Sequence, residues 1–240
     1  MTTLGRTEHA VFDYPAAATA LNADDISSLG TNSLGETFRG VPGMQVARMD
    51  SFDYAISIRG FNDNTANQLL VISDGRSLRD STFSGTSWGL QNLIMADLER
   101  IDILRGPGAA LWGANSMNGF INIVSKSAHE TLGDYFSVEL GNNRNNTLET
   151  RHGWMWDKTT AARLYLKTQE DNSFFPDVSP EVKNWRNWLL GTRVDRRLKT
   201  NGRLSVIAEW RHLELDGETF APSLTPPYES FFRIHVELIP

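Results

Sequence analysis

The chain has 240 residues, no cysteine and a net charge of −6, with 40% hydrophobic and 22% charged side chains. That composition is ordinary for folded protein, and the lack of cysteine excludes disulfides and thiolate metal sites. Most of the acidic excess lies in residues 1–133, which carry 9 basic against 14 acidic side chains. Neither part is the basic surface that nucleic acid requires, so no nucleic-acid partner is expected.

No run of about 18 apolar residues occurs, so the sequence holds no transmembrane helix. The segment Met1 to His9 lacks the charged and apolar regions of a secretory signal. The first 128 residues then read as compact α/β structure. Asp24 or Asp25 can cap a short helix through Leu29. Ser33-Leu-Gly-Glu36 has capping-box spacing, and Leu34, Phe38 and Val41 recur at helical spacing toward a core. Pro42-Gly43 turns the chain into a strand over 44–47. A second strand over 55–59 places Ile56 and Ile58 on one face and Ser57 and Arg59 on the other. Residues 68–73 form a more continuously apolar strand, closed by the Asp74-Gly75 turn. A short helix over 93–100 feeds a strand over 101–104. Gly106-Pro107-Gly108 breaks that strand, a tight turn closes at Gly113, and Gly119 precedes a last strand over 120–124.

Glycines after a strand can also cradle phosphate. Gly106-Pro-Gly108 begins a dinucleotide fingerprint, but Leu111 stands at its third glycine position. Gly108 to Gly113 has P-loop spacing, yet Ala114 and Asn115 replace the Lys and Ser/Thr that bind phosphate and magnesium. These glycines turn the backbone instead. The five histidines (His9, His129, His152, His212 and His235) have no metal-ligand spacing, and no metal or cofactor is expected. Glu99 and Asp102 could pose as paired carboxylates, but the reading places one at a helix end and the other at a strand start. Gly85-Thr-Ser87-Trp-Gly89 departs from a nucleophile elbow at its first spacing. No catalytic residue is assigned, and the chain is not expected to be an enzyme.

From Asp134 onward the pattern becomes period 2. Phe136, Val138 and Leu140 oppose Ser137 and Glu139; Leu164 and Leu166 oppose Arg163, Tyr165 and Lys167; Trp188, Leu190 and Val194 oppose Asn187, Arg193 and Asp195. Similar segments centre on residues 148–156, 204–210 and 232–238, with Trp near several ends. A soluble antiparallel sheet with one wet face gives this alternation, and so does a transmembrane barrel, apolar toward lipid and polar toward the lumen.

The run from Leu98 to Lys126 (Leu-Glu-Arg-Ile-Asp-Ile-Leu-Arg-Gly-Pro-Gly-Ala-Ala-Leu-Trp-Gly and onward through Asn-Ile-Val-Ser-Lys) resembles the signature of the plug domain of TonB-dependent outer-membrane receptors. Val41-Pro-Gly-Met-Gln-Val46, Ile58-Arg-Gly-Phe61 and Leu70-Val-Ile-Ser-Asp-Gly75 match the same family in the same order. The resemblance implies an α+β plug domain (a small mixed sheet with short helices) over residues 1–133. Antiparallel strands of an incomplete transmembrane β-barrel would follow over 134–240. It implies uptake of a scarce nutrient such as a ferric siderophore or other iron complex, and a place in the cell outer membrane. The implied partners are outer-membrane lipid and a TonB-type energy-coupling protein in the periplasm, whose coupling segment could lie at Thr7-Glu-His-Ala-Val11. Arg59 and Arg105 match plug arginines that pair with acidic residues of the barrel wall. Phe83 and Trp88 fall on a loop expected to face ligand. Pro42, Gly43, Gly60, Asp74, Gly75, Gly106, Pro107, Gly113 and Gly119 are the motif turns. Six strands cannot enclose a plug, because the family's barrels close with about 22, so the chain is expected to be an N-terminal piece whose export signal was removed or cut off. The alternative is a soluble secreted ligand-binding or adhesion module that reuses the plug fold.

Overall fold

The computed structural model describes residues 17–49, 53–63, 68–80, 84–106, 116–141, 146–172, 184–199, 202–222 and 229–238, with the backbone alone for 216–222 and 229–238. The expected coupling segment (Thr7 to Val11), Phe83, Pro107 and Gly113 lie outside the described residues. The chain divides into two compact units that part between Lys126 and Ser127.

The first unit is built on a five-stranded sheet in the order β1 (Ala17–Asn22), β6 (Leu98–Arg105), β7 (Gly119–Ser125), β4 (Leu69–Ser73), β5 (Arg76–Ser77). Strands β4 and β7 are parallel and all other neighbours antiparallel. A separate antiparallel pair, β2 (Met44–Arg48) and β3 (Tyr54–Ile58), contributes Ile56 and Ile58 to a core with Val71, Ile101, Ile103, Ile121 and Ile123. Period-2 geometry sends the alternate residues Leu104 and Phe120 to the other face of the sheet, against Ala18, Leu70 and Ile72. All five residues of β3 are buried, so Ser57 does not form a wet face; its hydroxyl donates to Gln45 Oε1 at 3.3 Å.

Two short helices close the core. Helix α1 (Ala23–Ser28) is capped by Asn22 rather than by Asp24 or Asp25. Asn22 Oδ1 accepts from Asp24 N and Asp25 N at 2.9 and 3.0 Å, and Asp25 Oδ2 accepts from Asn22 N, completing a capping box. Helix α2 (Leu34–Phe38) is capped by Ser33 as its spacing indicates, and Leu34, Phe38 and Val41 are buried. Glu36 does not reach back to the cap; it pairs with Arg39 at 2.6 Å. The helix expected over 93–100 does not form. A single 3₁₀ turn, Met95–Asp97, leads directly into β6, because Leu98 and Arg100 find ladder partners in Ser125 and Val124. Long-range pairing overrides the local helical pattern.

Gly119, expected at a motif turn, lies instead inside β7, where a Cβ would stand 2.8 Å from both Ile58 Cδ1 and the Leu104 carbonyl oxygen. Its requirement is space between two strands. Gly119→Ala should destabilise the unit by about 1–3 kcal/mol, read in the full chain as faster amide exchange along β7. Unchanged exchange there would show that Ile58 yields at no cost.

The second unit is a six-stranded antiparallel meander: β8 (Gly133–Leu140), β9 (Asn146–Met155), β10 (Thr160–Asn172), β11 (Asn184–Arg197), β12 (Arg203–Pro222) and β13 (Glu229–Leu238). Each strand pairs with the next, and β8 and β13 have one partner strand apiece among the described residues. Strands β10, β11 and β12 run 13, 14 and 20 residues. A tilted strand needs only about 9–11 residues to cross a bilayer, so these exceed the requirement. A 3₁₀ turn at Ala128–Glu130 precedes the meander, closed by a capping box in which Ser127 N and Oγ donate to Glu130 Oε2 at 2.8 and 2.6 Å.

The Ser127 hydroxyl is the main cause holding the Glu130 carboxyl below the usual glutamate range. A depressed folded-state pKa means that the box contributes fully above the ordinary glutamate value of about 4.3 and is lost as pH falls through the lower folded value. Amide exchange at Glu130 and Thr131 should therefore accelerate on acidification in the parent chain. In Glu130→Gln it should show no such pH dependence beyond the intrinsic rate.

Candidate functional site

Three of the motif segments meet at one end of the first unit. Strand β3 leaves the sheet through Arg59, Gly60 and Phe61, all in the left-handed region (φ +62°, +95° and +56°). For Arg and Phe this conformation costs about 1–2 kcal/mol each. The Arg59 guanidinium lies against Gly106, which follows β6 and has φ +133°; a Cβ there would sit 3.5 Å from both terminal nitrogens. That contact is ordinary in length, so the backbone angle rather than space demands glycine at 106. Gly106 N in turn donates to the Asn118 carbonyl at 2.9 Å, and Asn118 N to the Gln68 carbonyl at 3.1 Å, tying the ends of β6, β7 and β4 together.

Arg105, one residue earlier, reaches the other way. Its Nη1 donates to the Pro42 carbonyl at 2.5 Å and its Nη2 to Thr19 Oγ1 at 2.9 Å, while its stem passes over Gly43. It therefore fastens the Val41-Pro-Gly turn and the first strand to β6. A guanidinium has five donors, and two of them are used here. Phe61 is 72% exposed beside this cluster.

The Asp74-Gly75 turn stands at the opposite end of the sheet. Asp74 (φ +47°) and Gly75 (φ +83°) make the tight hairpin between β4 and β5. Asp74 also binds the end of β7, accepting from Ser125 N at 3.0 Å and from Ser125 Oγ at 2.6 Å. Lys126, which follows, donates from Nζ to the Ala96 carbonyl at 2.8 Å.

Trp88 is not on an exposed loop. It is 6% exposed and stands edge-on to Phe38 with ring centroids 5.4 Å apart, inside the main core cluster. The large apolar ring gains more by joining that core than by facing water, and Gly89 N bonds Asp53 Oδ1 at 3.4 Å to hold its 3₁₀ turn against β3.

Glu99 and Asp102 both lie in β6, bridged by Arg100 at 2.7 and 3.2 Å, with Asn122 Nδ2 donating to Asp102 Oδ2 at 3.4 Å. Asp102 is fully buried, and this cluster was not legible as a unit because its members come from two strands. Tyr54, at the start of β3, has its phenol pushed to higher pKa by burial, with Ser33 Oγ at 3.5 Å.

In the second unit the faces are inverted relative to a water-soluble sheet. Phe136, Leu140, Trp156, Leu164, Trp188, Leu190, Leu204 and Val206 are exposed, while Glu149, Arg163, Lys167, Gln169, Asp171, Asn187, Arg193 and Asp195 are buried. The buried charges are paired. Lys167 meets Glu149 at 3.0 Å, and Arg193 meets Asp195 at 2.7 Å. Asp195 also accepts from Ala128 N at 2.6 Å and from the Ser205 hydroxyl. Tyr165 donates to Glu209 at 2.9 Å and lies over Gly191 on the neighbouring strand, filling the place of a side chain. The inward face thus holds a connected set of polar groups beside Trp185, Leu189 and Leu213, and the outward face is mostly apolar, with the Asp134–His152 and Arg186–Glu170 pairs set among its side chains.

Among the described residues no group of three or more His, Asp or Glu side chains is placed to hold a metal ion. His152 pairs with Asp134 at 2.6 Å and stacks on Trp154, His212 meets Glu214 at 3.2 Å and stacks on Trp210, and His129 bonds the Thr159 carbonyl. His9 and the His235 side chain lie outside the described residues.

Residues 10–120 match the family described as TonB-dependent Receptor Plug Domain. The chain is 29% identical over 141 residues to a vitamin B12 transporter, BtuB, of Vibrio vulnificus strain CMCP6, covering 58% of this chain and 22% of that protein. It is 25% identical over 181 residues to BtuB of strain YJ016, covering 74% of this chain and 29% of that protein. Among solved structures it resembles the pyoverdine outer membrane receptor FpvA of Pseudomonas aeruginosa (TM-score 0.68, 19% identity, 89% of this chain and 30% of that one). It also resembles the ferric yersiniabactin uptake receptor FyuA of Yersinia pestis (TM-score 0.69, 16% identity, 90% and 34%). The chain thus spans less than a third of the length of these curated relatives. They are transporters and not enzymes. With the motif segments joined at one end of the first unit and a largely inside-out sheet in the second, residues 10–120 carry the plug domain of TonB-dependent receptors, and the chain is similar to transport receptors of the outer membrane.

Proposed function

We propose that this chain supplies the plug and the first barrel strands of a receptor that takes up a scarce nutrient, a ferric siderophore or other iron complex. Transport would be driven by a TonB-type energy-coupling protein in the periplasm. The observation that carries the reading is the inverted second unit that follows a plug domain in the sequence: a mostly apolar face toward solvent and paired charges inward. A soluble secreted module would turn those faces the other way. Identity to two vitamin B12 transporters favours a second substrate reading, a corrinoid. The folds shared with receptors for pyoverdine and yersiniabactin suit an iron complex.

Insertion tests the first step. Leu164 is 49% exposed near the middle of β10. In the receptor that carries this chain, Leu164→Arg should cost about 2–4 kcal/mol near the bilayer midplane and abolish heat-modifiable protein in purified outer membranes. A soluble module should tolerate the same change within about 0.5 kcal/mol, and wild-type behaviour of the variant would sink the barrel reading.

Substrate and coupling are tested together in cells expressing the receptor that carries this chain. Uptake of radiolabelled ferric siderophores should depend on the coupling protein and exceed uptake of labelled cobalamin. The reverse preference would assign a corrinoid. Within that receptor Arg59 and Arg105 are assigned to carboxylates of the barrel wall, Arg105 using the donors left after Pro42 and Thr19. Loss of one partner would cost about 3–5 kcal/mol if the pair is fully buried and about 1 kcal/mol or less in a water-filled lumen. Arg59→Ala should loosen the plug, seen as faster proteolysis inside the barrel and a leak of small solutes, with Lys rescuing only in part because it lacks the bidentate fork. An intact plug in the double alanine variant would make both arginines solvated strand ends.

A further inference from the structure

Among the described residues, the outward face of the second unit carries a groove of about 280 Å³, lined by Trp156, Asp157, Thr160, Val194, Arg196, Leu204 and Val206. It lies where β9 turns into β10 and where β11 turns into β12, at one end of the meander. Its volume falls below the about 300 Å³ at which sites for small-molecule ligands begin, so it suits part of a molecule rather than a whole nutrient. Its chemistry is divided along its length. Val194, Leu204 and Val206 are neighbours on the outward face of β11 and β12, since Val194 pairs with Val206 and Arg196 with Leu204. Trp156, an amphipathic ring 72% exposed, stands at the turn.

Both charges in the groove are available. Arg196 is exposed and makes no hydrogen bond or ion pair among the described residues. Asp157 is engaged on one oxygen: Oδ1 accepts from Thr159 N, Thr159 Oγ1 and Thr160 N at 2.7, 2.7 and 2.9 Å, whereas Oδ2 accepts only from Thr160 Oγ1 at 2.9 Å. These bonds, the Thr159 hydroxyl first, lower its pKa to about 2 and keep it ionised. Lys158, Arg197, Lys199 and Arg203 add positive charge around the same two turns. A cation and a held anion beside an apolar channel complement a headgroup that carries both signs.

We propose that this groove binds a phospholipid whose headgroup combines a phosphate with a primary ammonium. Arg196 would take the phosphate, Asp157 Oδ2 the ammonium, and Val194, Leu204 and Val206 the upper part of an acyl chain. The inference rests on the reading that the outward face meets lipid. A primary ammonium has N–H donors for Asp157 Oδ2; a choline headgroup has none, and a glycerol headgroup has no cation.

The test uses the receptor that carries this chain, reconstituted in vesicles containing a small fraction of lipid brominated on its acyl chains. Trp156 emission is isolated by difference against Trp156→Phe. Brominated phosphatidylethanolamine should quench Trp156 about threefold more effectively than brominated phosphatidylcholine, the factor expected of one ion pair at an interface. Asp157→Asn, which can still accept the turn bonds, should erase that preference. Arg196→Gln should weaken quenching by both lipids and Arg196→Lys should preserve it. Equal quenching by the two lipids in the parent chain overturns the site. So does a preference for phosphatidylglycerol that survives Asp157→Asn, since that is attraction to basic residues alone. If no brominated lipid quenches Trp156, Trp154 or Trp210, the lipid-facing reading itself fails, which separates that failure from failure of the groove.

Discussion

Strands β8 to β12 are solvated differently on their two sides, and that constraint orders everything else in the second unit. Outward positions hold Phe136, Leu140, Leu164, Leu190 and Leu204 with nothing polar between them and the surroundings. Such a face is costly in water at about 25 cal/mol per Å² and costs nothing against hydrocarbon. Hydrocarbon in turn forbids unpaired backbone groups, which is met by having each strand hydrogen-bonded along its length to the next. Inward positions are then free to be charged, but only in pairs. Lys167 with Glu149 and Arg193 with Asp195 satisfy that demand, and removing one member of such a pair would cost about 3–5 kcal/mol.

Asp195 shows how the charged face also fixes the start of the unit. Its carboxylate receives Arg193 from its own strand, Ser205 from β12 and the backbone N–H of Ala128. Ala128 opens the 3₁₀ turn that Ser127 and Glu130 close. Thr131, just after that turn, receives a bond from Arg163 Nη1 at 3.3 Å, and its carbonyl packs directly on Gly153, where no side chain would fit. The residues before β8 are therefore held by β9, β10 and β11 at once, and the pattern change at Asp134 marks the first strand rather than the first residue that belongs with it.

What the sequence made legible follows from how local each signal is. Period-2 alternation is repeated along every residue pair, so all six strands of the meander could be read, and Asp74-Gly75 specifies its turn by backbone angles alone. Residues 93–100 carry a helical pattern that loses to a ladder with β7, a partner more than twenty residues away in sequence. Trp88 beside two glycines reads as a loop residue, yet Phe38 supplies a ring for it from a distant helix. The reach of Arg105 to Pro42 and Thr19 spans 63 and 86 positions, and no spacing rule covers that range. Asn22 is hard to read as a cap from sequence because two aspartates, Asp24 and Asp25, follow it and compete for the role. The geometry prefers the residue whose oxygen meets both of their amides.

The strained exit from β3 explains why the motif segments of the plug are short, glycine-rich and far apart. Arg59 and Phe61 occupy a backbone region that costs about 1–2 kcal/mol each, and such strain persists only where the surroundings over-determine it. Here Ile58 is locked into the core against Gly119, the Arg59 guanidinium rests on Gly106, and Gly106 is itself bonded to Asn118. Each of these contacts requires a residue without a side chain at the opposing position, either for room, as at 119, or for backbone angle, as at 106. A β-carbon at 119 would push Ile58 outward and take Arg59 with it, while an L-residue at 106 would turn the backbone away from the guanidinium. The glycines are therefore the fixed half of the arrangement, and the arginines are laid over them, Arg59 against Gly106 and Arg105 over Gly43, so that both guanidinium groups gather at one end of the sheet.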